Sequence, residues 1–92
     1  MSDKLTSTRI QIDNINNELV HLLIKRFQLL EQVHKIKTQE SLELFDGKRT
    51  KLMNQILQDK LQSAHLNPMQ KESINKILNN LFSVSLEYLK SK

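Results

Sequence analysis

Four cations carry the chemistry this chain could do. Arg9, Arg26 and Lys37 lie in one run, residues 9–37 (RIQIDNINNELVHLLIKRFQLLEQVHKIK), and Arg49 follows twelve residues after Lys37. Within the run Ile12, Ile15, Leu19, Leu22, Leu23, Leu30 and Val33 recur at helical spacing, uninterrupted by Pro or Gly. Arg26 and Lys37 fall on that apolar stripe: they are eleven residues apart, about 20° around a helix of about 3.6 residues per turn. Arg9 enters the stripe at its start, four heptads before Lys37. A cation on a face destined for burial needs a partner, and the stripe holds almost no carboxylates. An anionic ligand is the expected partner. Arginine forks grip carboxylates bidentately and a lysine offers a movable point donor, so four converging cations suit a small dicarboxylate. The competing expectation is that these side chains lie along the apolar surface and lift their heads into water. Arg49, between Lys48 and Lys51, has the same option.

Conventional catalytic groups are missing. The three histidines, His21, His34 and His65, form no HExxH motif, and His21 and His34 are thirteen residues apart, about 220° around a helix. No carboxylate pair stands at metal spacing and no serine sits in a nucleophile elbow. The chain has no cysteine, which excludes disulfides and thiolate chemistry, and its single glycine excludes a phosphate-cradling loop. No metal or cofactor is called for.

These cations need long helices to hold them. Periodicity predicts three helices and no strand, an all-α chain. The first runs from about residue 4 to 39, with Ser2 or Thr6 as cap. Thr38 to Phe45 loses the pattern and reads as a connection. Asp46, followed by Gly47, is an N-cap for a second helix carrying Leu52, Met53, Ile56, Leu57 and Leu61, which fades near Ala64 and His65. Asn67-Pro68-Met69-Gln70 is a strong start signal: Asn caps, Pro takes the first helical position and Gln reaches back. The third helix places Ile74, Ile77, Leu78, Leu81, Phe82, Ser85 and Leu89 on one face.

At 92 residues the chain is expected to be one domain, residues 1–92. A first helix of about 35 residues would be roughly 50 Å long, against a radius of gyration of about 12 Å for a compact chain of this size. It must pack on something beyond its own chain, most economically a second copy. The expectation is a homodimer of intertwined helices. Without an apolar leader or a stretch of membrane-spanning length, the protein is expected in the cytoplasm and off the membrane. The net charge of +4 permits an anionic partner without choosing one. A nucleic-acid surface built from Lys35, Lys37, Lys48, Arg49, Lys51 and Lys60 is the rival reading. The four aromatics are few for base stacking, and cations on an apolar stripe suit an enclosed site better than a solvated one.

At this point the spacing resembles a known family, the all-helical chorismate mutases, over essentially the whole chain. That family has an arginine near its start, a second seventeen residues on, a lysine eleven further and then D-x-x-R; here these are Arg9, Arg26, Lys37 and Asp46-Gly47-Lys48-Arg49. The third-helix pattern is met by Ile74, Ile77, Leu78, Leu81 and Ser85. The resemblance implies an intertwined three-helix homodimer that converts chorismate to prephenate, in aromatic amino-acid biosynthesis. Arg26, Arg49 and the Arg9 contributed by the second copy would bind the two carboxylates. Lys37 would donate to the ether oxygen of the breaking bond, the backbone at Asp46 would help hold the ring hydroxyl, and Ser85 would line the carboxylate end. This rearrangement is unimolecular, with no proton transfer, nucleophile or redox step. It needs a compact substrate conformer and donors where charge grows.

Two positions depart from the family. Thr50 stands where a glutamate usually accepts from the substrate hydroxyl, and Leu89 where a glutamine usually assists the lysine at the ether oxygen. Losing one such donor costs about 10²–10³ in rate. Pyruvate lyases acting on isochorismate share the fold and the cationic frame, and some lack the glutamate; they too tend to keep the glutamine. A slow mutase, a mutase completed differently, such a lyase, and a helical dimer serving only as a binding or structural module all remain open.

Overall fold

The computed structural model describes residues 2–43 and 46–91. They form three helices, α1 (Asp3–Gln39), α2 (Gly47–Ser63) and α3 (Pro68–Lys90), with no strand among the described residues. The chain is all-α. No helix among these residues is long and apolar enough to cross a membrane.

Each start follows from a side chain that relieves the unpaired N–H groups of a first turn. Ser2, not Thr6, begins α1: Leu5 N–H donates to Ser2 Oγ at a long 3.4 Å, while Thr6 lies inside the helix and its hydroxyl donates to the Ser2 carbonyl. Asp46 caps α2, its carboxylate accepting from Arg49 N–H at 3.1 Å. Asn67 caps α3 in a full capping box, accepting from Gln70 N–H at 2.8 Å while Gln70 Oε1 accepts from Asn67 N–H at 3.0 Å.

The end of α1 is less obvious. The helix ends at Gln39, the bound expected of it, so that Thr38 and Gln39 close the helix and do not open the connection. Leu42 N–H donates to the Lys37 carbonyl at 2.7 Å and Ser41 N–H to that of Thr38 at 3.3 Å. That pairing is a Schellman motif. It needs a left-handed residue, and Ser41 supplies it at φ 57°. Leu44 and Phe45, the end of the expected connection, lie outside the described residues.

The chain divides into two compact units within α1, Met1–Val33 and His34–Lys92. In the first, the apolar stripe is largely open: Ile12, Ile15, Leu19 and Leu22 are 52, 56, 51 and 61 % exposed. No residue of α1 is fully buried. In the second, α2 and α3 pack by their inner faces, and Gln58 Nε2 donates to Asn75 Oδ1 between them at 2.6 Å. Met53, Leu57 and Leu61 of α2 and Ile74, Leu78, Leu81 and Phe82 of α3 are half-buried. Ile77 is not on that face: it is 66 % exposed, since it points about 90° away from the centre of the α3 stripe. Leu52 and Ile56 are likewise exposed, about 100° or more from the centre of the α2 stripe.

Candidate active site

The turn that opens α2 brings three of the candidate residues together. The Asp46 carboxylate is occupied by the Arg49 amide, and the Asp46 carbonyl accepts twice, from Thr50 N–H at 3.1 Å and from Thr50 Oγ1 at 3.0 Å. Both lone pairs of that carbonyl are therefore used, and the backbone of Asp46 has only its N–H to offer a ligand. Thr50, half-buried, has given its one proton to the carbonyl and presents lone pairs alone. The Arg49 side chain is exposed, on a backbone held in the first turn by the cap.

Lys37 lies in the last turn of α1, where a cation is favoured by the helix dipole. Its carbonyl is the anchor of the Schellman turn, so the backbone that carries the ammonium group is held on both sides. The side chain is half-buried.

Ser85 and Leu89 share one face of α3, one turn apart, and are the two fully buried residues among those described, at 5 and 8 % exposure. Ser85 Oγ donates to the Leu81 carbonyl at 2.6 Å. Leu89 thus turns inward at the position where the resemblance places an amide. Of its neighbours, Glu87 and Lys90 face outward, whereas Tyr88 is half-buried. Its seven-residue spacing from Leu81 is the signal in the sequence that Tyr88 shares the inner face.

The remaining two cations belong to the first unit. Arg26 is half-buried, and burial lowers its guanidinium pKa from the usual value because the charged form loses water. Arg9 is fully on the surface of the chain. The second unit carries Lys37, Asp46, Arg49, Thr50, Ser85 and Leu89. Of the histidines, His21 and His65 are exposed and His34 half-buried; no three metal-ligating side chains cluster among the described residues.

The family model described as chorismate mutase type II matches residues 8–90. The chain belongs to that family. The match takes in α2, α3 and all but the first turn of α1, with every candidate residue from Arg9 to Leu89, in an all-helical family of isomerases. Comparisons with curated proteins and with solved structures returned no match. Within this chorismate mutase chain, the half-buried Arg26 and Lys37 are the two stripe cations that the fold withdraws from water, and Arg9 is the one it leaves out.

Proposed function

We propose that this chain rearranges chorismate to prephenate as a homodimer paired along α1. The family match over residues 8–90 carries the reading, and the Arg9, Arg26, Lys37 and Asp46–Arg49 spacing agrees with it. The dimer is supported by the open stripe of α1: a helix of 37 residues is about 55 Å long, and each Ile or Leu left uncovered forgoes up to about 1.5–3 kcal/mol. A second copy with the same stripe is its natural cover, and pairing would bring the partner's exposed Arg9 to the site.

In this reading Arg26, Arg49 and the partner's Arg9 hold the two substrate carboxylates and select the compact conformer. Lys37 donates to the ether oxygen as the C–O bond breaks and negative charge grows there. Burial of Arg26 costs its charged form hydration, and a dianionic substrate beside it would favour that form. The substrate hydroxyl has one donor and one acceptor function to satisfy. The Asp46 N–H and the lone pairs of Thr50 complement both. Thr50 serves without the charge of a glutamate, and Leu89 supplies no second donor beside Lys37, so turnover is slower than a site with both would give. The product serves aromatic amino-acid biosynthesis, in the cytoplasm.

Product analysis after incubation with chorismate, and separately with isochorismate, tests the reading. Prephenate is expected from chorismate, with a loss of about 10³-fold in Lys37→Ala and an unchanged helical circular dichroism spectrum. Pyruvate from isochorismate would replace the mutase reading with a lyase one. No product from either would leave the fold with another use.

A further inference from the structure

The starts of α1 and α2 differ in charge. α1 opens on Asp3, as a helix dipole favours. α2 has no carboxylate in its first turn and carries Lys48, Arg49 and Lys51 among its first five residues, where the dipole disfavours cations. Consecutive residues stand about 100° apart around a helix. Lys48 therefore flanks the Arg49–Thr50 pair on the Arg49 side and Lys51 flanks it on the Thr50 side. Helical side chains tilt toward the N-terminus, which leans both lysines toward the turn capped by Asp46. Both are exposed, and neither forms an ion pair among the described residues. Against them stand the Asp46 carboxylate, which accepts from the Arg49 amide, and Glu40 and Glu43 between α1 and α2. The next acid after Asp46 is Asp59.

We propose that Lys48 and Lys51 draw the dianionic substrate to the first turn of α2 by their field, without gripping it, and that α2 is less stable for carrying them. From Lys48 to Lys51 the axis rises by about 4.5 Å. Both charges thus act within roughly a Debye length, about 10 Å at 0.1 M salt, of a ligand held at Arg49 and Thr50. Attraction of this kind acts on the whole dianion and equally in the ground and transition states. It therefore appears in KM and not in kcat. Removing the lysines should weaken substrate binding and at the same time relieve the helix dipole. One substitution then lowers affinity and raises stability. Lysines that are only solvated would give the second effect without the first.

The identity of the ligand rests on the mutase reading; the arrangement of charge does not. Steady-state kinetics on chorismate and thermal unfolding would compare wild type with the double variants Lys48→Gln/Lys51→Gln and Lys48→Arg/Lys51→Arg. At an ionic strength of about 0.02 M the Gln pair should raise KM about 3–5-fold with kcat within about 1.5-fold. At about 0.5 M the difference in KM should close to within about 1.5-fold. The Arg pair, which keeps both charges, should match wild type, and the unfolding midpoint of the Gln pair without substrate should rise slightly. An unchanged KM at low ionic strength overturns the proposal. So does a difference that salt does not shrink, which would make the lysines direct contacts, and so does a lower midpoint, which would make them part of the fold. Calorimetric titration with chorismate separates the proposal from the mutase reading. A wild type that binds chorismate without converting it, and loses about 3–5-fold in affinity in the Gln pair, sinks the mutase reading alone. A wild type that does not bind chorismate overturns both.

Discussion

The helices α1 and α3 are both amphipathic, yet only α3 has fully buried residues. Ser85 and Leu89 are 5 and 8 % exposed, whereas Leu19 and Leu22, at the middle of the longer helix, remain 51 and 61 % exposed. The difference is one of partners, not of composition. The inner face of α3 meets α2 within one compact unit, and the Gln58–Asn75 hydrogen bond ties the two. The stripe of α1 is apolar enough for a core but is left open by its own chain. An isolated helix draws little stability from propensity, most of it coming from packing of its apolar face. In the proposed dimer the stripe of α1 is the interface, whereas the face of α3 is already covered within its own unit.

The sharpest way to break this comparison is to charge α1. Leu19→Glu is expected to cost about 2–4 kcal/mol per protomer if two copies bury the stripe, seen as dissociation in sedimentation velocity and a lower unfolding temperature. Met69, at the head of α3, is even more exposed, at 72 %, and stands outside the stripes. Met69→Gln should stay within about 0.5 kcal/mol, as exposed substitutions do. If the two substitutions prove equally mild, α1 is a solvated helix and the dimer fails with it.

How much of this was legible beforehand depends on the range of the interaction. The caps at Asp46 and Asn67 were readable because they are bonds between a side chain and an amide three residues away. The end of α1 near residue 39 was readable too, from the loss of the apolar pattern, but the left-handed turn that makes it was not, because Ser41 forms it where a glycine is the usual signal. Periodicity marked the apolar faces but could not say what covers them, so the stripe of α1 and the inner face of α3 looked alike in sequence. Ile77 follows the apolar spacing of α3, but its angle only grazes the stripe. The candidate cations stand out by type and spacing. The state of the hydroxyls does not, since Ser and Thr donate or accept equally well until a structure shows where the proton goes.

A smaller effect tests the finished face. Leu89→Gln puts an amide at the most buried apolar position of α3. If that position faces the reacting atoms, kcat should rise about tenfold by supplying a second donor beside Lys37, a fraction of the 10²–10³ that such donors are worth in optimised sites. Thermal stability should fall at the same time, because an amide leaves water for a place shaped for leucine. Faster and less stable is the signature of a site residue; less stable with an unchanged rate would make Leu89 core alone.

The smallest expected effect concerns the turn that holds Lys37. A non-glycine residue in the left-handed region costs about 1–2 kcal/mol, and Ser41 sits there at φ 57°. Ser41→Gly removes that cost but gives the unfolded chain more freedom, so the net gain should be about 0.5–1 kcal/mol, read as a small rise in the unfolding midpoint. The same substitution should leave kcat unchanged, because the Leu42 N–H to Lys37 carbonyl bond at 2.7 Å does not depend on the side chain at position 41. A stability gain with unaltered turnover would mean that the turn acts as a stop for α1 and nothing more. A fall in kcat would mean that the stiffness of the left-handed serine is itself part of how Lys37 is aimed, and would give that end of α1 a share in catalysis that α3 does not supply.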